Sequence, residues 1–124
     1  MTMRLELVPI AVTDVDAAIV FYRDVVGFTL DHDVSPGGGM RVVQLTPPGS
    51  ACSIAFGVGM GSGGPVSNLH LVVDDVEVER AALVGRGLAV SEVQDMGGVL
   101  YAFFADPDGN TWALQEIRVA SLPQ

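Results

Sequence analysis

The side chain best suited to acid–base chemistry in this sequence is the imidazole of His70, because imidazole exchanges protons readily near neutral pH. His70 lies in a predicted strand over residues 68–73, in which leucine and valine side chains at alternate positions occupy one face. Since side chains alternate along a strand, Asn68 and His70 share the opposite face. The sequence leaves two roles open for His70: proton transfer to a ligand, or a strand histidine that bonds to neighbouring backbone.

A second set of candidates lies in a predicted C-terminal hairpin, where the segment Asp106-Pro107-Asp108-Gly109 has the composition of a tight turn. The strand after this turn brings Thr111, Ala113 and Gln115 to one face. The strand before it carries three aromatic side chains that either stack on a flat ligand or fill the core, namely Tyr101, Phe103 and Phe104.

The other reactive residue types are weaker candidates. His32 lies between Asp31 and Asp33, a charged run typical of solvated surface. Cys52 is the one cysteine, so no intrachain disulfide can form. It has no basic neighbour in sequence to favour a thiolate, and we expect a small buried residue there.

The elements that position these residues occur twice along the chain. In the first half the pattern predicts strands over 5–13, 28–34, 40–46 and 51–58 and a helix over 15–26; in the second half it predicts strands over 68–73, 88–93, 99–105 and 111–119 and a helix over 76–84. Each helix begins after an aspartate suited to cap it, Asp14 or Asp75, and these lie 61 residues apart. The sequence therefore predicts an internal repeat of strand, helix and three strands.

Length and composition predict one compact domain, organised as module 1 over about 4–58, a glycine-rich linker over about 59–66 and module 2 over about 67–119. A 49% hydrophobic content suffices for a core. The net charge of −9 argues against nucleic acid and anionic membranes as partners. The sequence shows neither a signal peptide nor an apolar run long enough to span a bilayer, and we expect a cytoplasmic protein.

The two matching halves, the segment from Asp16 to Phe28 and the terminal Asp106-Pro107-Asp108-Gly109-Asn110 together resemble the vicinal oxygen chelate superfamily, which includes glyoxalase I, bleomycin-resistance proteins and extradiol dioxygenases. The resemblance implies an α+β fold of two βαβββ modules in tandem, with sheets curled around a shared cavity, and a homodimer. It places the face of His70 and Gln115 in that cavity, with Leu7 in its apolar wall.

The same resemblance implies metal ligands on the first and last strand of each module, and this chain departs from that pattern. The implied positions are Leu7, Asn68, Ala113 and, if the 61-residue offset holds, Cys52. Leucine and alanine cannot bind a metal, and an asparagine amide is a poor ligand for a borderline metal. We therefore expect no metal and no other cofactor.

Three functions remain open at this level. The first is a metal-independent isomerase, cyclase or lyase that binds an apolar organic molecule and uses His70 for proton transfer, with Asn68, Gln115, Tyr101, Thr111, Leu7 and Ala113 contacting the substrate. The second is a non-catalytic protein that sequesters a drug or metabolite, as the bleomycin-resistance branch does. The third is a metal enzyme with displaced ligands, such as His70, Cys52 and Glu116, although strand parity points Glu116 away from the cavity.

Overall fold

The computed structural model describes residues 1–58 and 63–118, and the chain divides into two compact units, Met1–Pro65 and Val66–Gln124. In the first unit the strands β1 (Leu7–Pro9), β2 (Thr29–Gly37), β3 (Met40–Thr46) and β4 (Ser53–Val58) form a sheet in the order β1-β4-β3-β2. The β1–β4 pairing is parallel and the other two pairings are antiparallel.

The second unit repeats this topology. Its strands β5 (Leu69–Val72), β6 (Gln94–Asp95), β7 (Val99–Ala105) and β8 (Thr111–Ile117) form a sheet in the order β5-β8-β7-β6. The β5–β8 pairing is parallel, and β6–β7 and β7–β8 are antiparallel. The predicted α+β fold of two tandem βαβββ modules is confirmed.

Each unit carries one helix, and an aspartate caps each helix as the sequence predicts. Helix α1 (Val15–Ile19) follows Asp14, whose carboxylate accepts from the backbone N–H of Ala17 at 3.0 Å. Helix α2 (Val76–Gly85) follows Asp75, whose carboxylate accepts from the backbone N–H groups of Glu77 and Val78. Both caps satisfy backbone donors that a helix start leaves unpaired.

Helix α1 continues as a π-helical segment, Val20–Val26, which the sequence pattern did not distinguish from a regular helix. The wider turns end at Gly27, which has a positive φ of 100°. The segment places Tyr22 at 0% exposure, stacked against Phe28 at 5.7 Å and next to Phe56 of β4 at 6.1 Å. This aromatic cluster joins the helix to one face of the first sheet.

The second sheet has one face that packs beneath α2 and one that does not. The even-numbered residues of β7 and β8 lie on the helix face and are all buried. Phe104 and Trp112 stack there with ring centroids 6.2 Å apart. The odd-numbered residues of β7 and β8, together with His70 and Val72 of β5, form the opposite side, which we call the open face of the second sheet.

The turn between β7 and β8 is held by Asp106 and Asn110, both buried. The Asp106 carboxylate accepts from the backbone N–H of Asn110 at 2.9 Å and from its side-chain amide at 2.7 Å. The Oδ1 atom of Asn110 accepts from the backbone N–H of Val66 at 2.9 Å. The predicted tight turn therefore also anchors the chain that leads into β5.

The prediction of a strand over 88–93 is wrong, because these residues form no strand. The Oγ atom of Ser91 accepts from the backbone N–H of Phe103, and Arg80 of α2 donates to the carbonyls of Val90 and Ser91. One ladder bond forms, from the N–H of Ser91 to the carbonyl of Phe103, but a hydroxyl and a guanidinium occupy the groups that would form the next ones. The short strand β6 forms later, at Gln94–Asp95. The first strand is also shorter than predicted, spanning Leu7–Pro9 at the edge of its sheet, where the missing N–H of Pro9 is tolerated.

No helix among residues 1–58 and 63–118 is long and apolar enough to cross a membrane. The last strand is predicted to end at residue 119, whereas β8 ends at Ile117. Residue 119 lies outside the described residues.

Candidate functional site

The open face of the second sheet brings together most of the predicted site residues. In the strand register, Ala113 of β8 lies between His70 of β5 and Phe103 of β7. One rung further along, Gln115 lies between Val72 and Tyr101. Thr111 begins β8 on the same face.

Aromatic rings dominate this open face. The rings of Tyr101 and Phe103 are stacked, with centroids 5.9 Å apart and an interplanar angle of 11°. The His70 ring meets Tyr101 edge-on, with centroids 6.0 Å apart at 86°. Tyr101 and Phe103 are only partly buried, in contrast to Phe104 on the helix face, which is 5% exposed. We call His70, Tyr101 and Phe103 the aromatic row.

Backbone contacts orient the His70 ring. Its Nδ1 atom lies 2.7 Å from the carbonyl oxygen of Asn68. A carbonyl can only accept, so Nδ1 carries the proton and donates, and in the neutral ring Nε2 is left as an acceptor. His70 is also an exposed residue. His70 can therefore bond to neighbouring backbone through Nδ1 and still exchange a proton with a ligand through Nε2, so the two roles that the sequence left open are compatible.

Asn68 takes part through its backbone. It precedes β5 and has a left-handed φ of 61°, so the alternation that oriented its side chain in the sequence does not apply there. Its N–H donates to Oγ1 of Thr111 at 2.8 Å. Thr111 thus holds Asn68, and Asn68 holds the ring of His70.

The positions at which the family resemblance implies metal ligands do not fit a metal. Ala113 pairs with His70 in the second sheet. Pro9 is the counterpart of His70 in the first module, and it pairs with Ala55. Ala55 is therefore the counterpart of Ala113, and the predicted match to Cys52 is wrong. The loops of the two modules differ in length, and the 61-residue offset of the caps is lost before the last strand. Leucine and alanine side chains offer no ligand, and no group of three or more His, Cys, Asp or Glu side chains in the described part of the chain could hold a metal ion.

Glu116, the carboxylate of the displaced-ligand alternative, is engaged on the helix face. It is 7% exposed, its Oε1 accepts from the backbone N–H of Val76 at 2.8 Å, and its Oε2 forms an ion pair with Arg118. The hydrogen bond from Arg118, and then that from Val76, lower the pKa of Glu116 because both favour its charged form. Glu116 therefore fastens the start of α2 to β8, on the side of the sheet away from His70.

Leu7 lies in the first unit, partly buried in β1 and opposite Ser53 of β4. Sequence reasoning missed the polar residues bonded to Ser53, which are Gln44 and Thr46 of β3, and it missed Asp31 of β2, which bonds to Thr46. The polar residues at alternate positions of the predicted strand over 40–46 were the available signal.

Comparison with known proteins decides the family. A model of the glyoxalase/bleomycin resistance protein/dioxygenase superfamily matches residues 4–114. The chain belongs to this superfamily. A search of curated proteins found no match.

Solved structures of the superfamily share the fold over almost the whole chain. TnmS3, an antibiotic binding protein from Streptomyces sp. CB03234, is 32% identical with a TM-score of 0.82, covering 94% of this chain and 97% of its own. A glyoxalase/bleomycin resistance protein from the same organism is 34% identical with a TM-score of 0.76, covering 90% and 98%. A superfamily member from Sphaerobacter thermophilus DSM 20745 is 27% identical with a TM-score of 0.81, covering 93% and 98%.

Proposed function

We propose that this chain is a small-molecule binding protein whose ligand is a planar aromatic molecule stacked on the open face of the second sheet. The observation that carries the proposal is the aromatic row, in which the stacked rings of Tyr101 and Phe103 are left partly exposed while their neighbours on the helix face are buried. Aromatic side chains bind flat ligands through ring faces and edges at little entropic cost. The ring nitrogen Nε2 of His70 accepts a hydrogen bond from the ligand.

Similarity and charge both support a binding role. The chain is 32% identical to a protein described as an antibiotic binding protein. The net charge of −9 favours neutral or cationic ligands over anionic ones. Among the positions that would carry metal ligands, Leu7 and Ala113 offer none and Asn68 is a poor one, so we propose a function that does not use a metal.

A matched pair of probes tests this proposal by isothermal titration calorimetry. The flat 2-naphthol is expected to bind, and its saturated analogue decahydro-2-naphthol, which has the same hydroxyl but no π face, is expected to bind at least tenfold more weakly. Equal affinity for the two probes would contradict stacking on the aromatic row.

Proton transfer by His70 is a second candidate function, and it rests on the hydrogen bond from Nδ1 to the Asn68 carbonyl. This bond leaves Nε2 as the basic atom, which is the protonation pattern that a general base for an isomerase, cyclase or lyase needs. The probe is 2-tetralone, whose exchange of acidic C–H protons in D₂O is followed by NMR. The His70→Ala variant is expected to return exchange to the buffer rate while 2-tetralone still binds. A wild-type rate equal to that of buffer would contradict this candidate.

A homodimer located in the cytoplasm is the expected form of the protein. Light scattering after size-exclusion chromatography tests the dimer, because a monomer and a dimer of a 13.0 kDa chain are easily distinguished.

A further inference from the structure

The chain that runs along the outer side of β7 contains one extra residue next to Phe103. Gln94 pairs with Tyr101 in the β6–β7 register, and the N–H of Ser91 donates to the carbonyl of Phe103 at 2.9 Å. The outer chain therefore advances three residues from Ser91 to Gln94 while β7 advances two, from Tyr101 to Phe103. Such an extra residue in an antiparallel pair is a β-bulge, which bends the strand and re-aims side chains.

The hydroxyl of Ser91 is inserted where a backbone hydrogen bond would otherwise form. If the register of β6 continued, Glu92 would lie opposite Phe103, and the N–H of Phe103 would donate to the carbonyl of Glu92. Instead this N–H donates to Oγ of Ser91 at 2.9 Å, and the hydroxyl donates to the carbonyl of Glu92 at 3.1 Å. One hydroxyl thus satisfies both backbone groups, so the bulge leaves neither of them unpaired.

Arg80 of α2 fastens the bulge to the helix. Its Nε atom donates to the carbonyl of Ser91 at 2.6 Å, and one of its Nη atoms donates to the carbonyl of Val90 at 3.3 Å. In the part of the chain that the structure describes, Arg80 forms no ion pair, so its charge is directed at these two carbonyls. Hydrogen bonds from a charged donor are the stronger kind, and both Arg80 and Ser91 are partly buried.

We propose that Arg80 and Ser91 are positioning residues of the aromatic row. They hold the bulged pairing in place of the continuous one, and they thereby set the orientation of the Phe103 ring, which is stacked on Tyr101 at 5.9 Å. Both act through the backbone of Phe103 rather than through contact with a ligand. Their role in binding rests on the function proposed for the aromatic row, whereas their effect on the ring geometry can be measured without a ligand.

NMR of the ligand-free protein tests the pairing and the ring geometry. In the wild type we expect a nuclear Overhauser contact between the amide protons of Ser91 and Phe103, and ring contacts between Tyr101 and Phe103. Arg80→Met, which keeps an apolar side chain but removes the donors, is expected to move the amide contact to Glu92 and Phe103 and to weaken the ring contacts. Ser91→Ala is expected to do the same, whereas Ser91→Thr, which keeps the hydroxyl, is expected to retain the wild-type contacts.

Calorimetry with 2-naphthol tests the consequence for binding. Arg80→Met is expected to raise the dissociation constant about threefold to tenfold, which is the range for the loss of one aromatic pair. Arg86→Met, the same change at the exposed C-cap of α2, is the matched control and is expected to stay within about twofold of wild type. Arg80→Lys, which keeps the charge but has a single donor atom, is expected to fall between Arg80→Met and wild type in both experiments.

The two measurements separate this role from the function proposed for the site. A wild-type protein that does not bind 2-naphthol would contradict that function, and the contacts in the ligand-free protein would still decide whether Arg80 and Ser91 position the Phe103 ring. Folded Arg80→Met and Ser91→Ala variants that keep the Ser91–Phe103 amide contact and the Tyr101–Phe103 ring contacts would overturn the proposal. Should Arg80→Met not fold, Ser91→Ala and Arg80→Lys decide the question by the same contacts.

Discussion

Replacing Tyr101 by alanine is expected to weaken ligand binding, and it tests the proposed function directly. Tyr101 is partly buried, so only part of the roughly 200 Å² that such a side chain can bury remains for a ligand to cover, and we take about 50 Å² for this part. At about 25 cal/mol per Å² this surface contributes about 1.3 kcal/mol, and an aromatic pair adds about 0.5–1.5 kcal/mol. We expect Tyr101→Ala to cost about 2 kcal/mol, or about thirtyfold in the dissociation constant for 2-naphthol.

Calorimetry with 2-naphthol measures this change, and two variants control for it. Tyr101→Phe keeps the ring and is expected to stay within threefold of wild type. Val78→Ala truncates an exposed residue of α2, on the helix-bearing side, and is expected to have no effect. A folded Tyr101→Ala variant that binds 2-naphthol within twofold of wild type would refute the stacking geometry.

Three further predictions concern the residues that support the site. Asn110→Ala leaves buried partners unsatisfied at the β7–β8 turn, so urea unfolding is expected to show a loss of about 2–4 kcal/mol; a loss below about 0.5 kcal/mol would show that these bonds contribute little. The hydrogen bond from Arg118 lowers the pKa of Glu116 in the folded protein. The ionised Glu116 therefore stabilises the fold at pH values above its pKa in the unfolded chain, about 4.3, and this stabilisation is lost as the pH falls through its pKa in the folded protein. The melting temperature of Glu116→Gln should therefore lie below that of wild type at pH 7, with a gap that closes in acid; a gap independent of pH would contradict this. Thr111→Val removes the hydroxyl that accepts from the N–H of Asn68, so ¹⁵N NMR should show the His70 ring changing from the Nδ1–H tautomer to a mixture of tautomers. Thr111→Ser should restore the Nδ1–H tautomer, and an unchanged tautomer in Thr111→Val would show that Thr111 does not position the ring.

Local signals in the sequence were enough to predict the repeated architecture. The caps Asp14 and Asp75 each satisfy helix N–H groups through contacts within three residues, so the pattern contains the whole interaction. The strands β3 and β7 match their predicted bounds, because alternation and flanking turns define both ends. The face of His70, Gln115 and Ala113 followed from the same alternation.

Interactions between distant side chains and backbone were not predictable in this way. Arg80 occupies the carbonyls of Val90 and Ser91, and nothing in the composition of 88–93 reveals this competitor. Asn68 takes a left-handed conformation and bonds to Thr111, far along the chain, and strand alternation indicates neither feature. Strand-pairing register, which sequence spacing does not contain, also decided that Ala55 corresponds to Ala113.

The measurement that tests the central claim most directly is an isotope-filtered NOE experiment on the protein with bound 2-naphthol. Binding to the open face of the second sheet predicts contacts from the naphthol ring protons to the side chains of Tyr101 and Phe103, with His70 at the edge of the ligand. Contacts confined to other residues, with none to the aromatic row, would contradict the account.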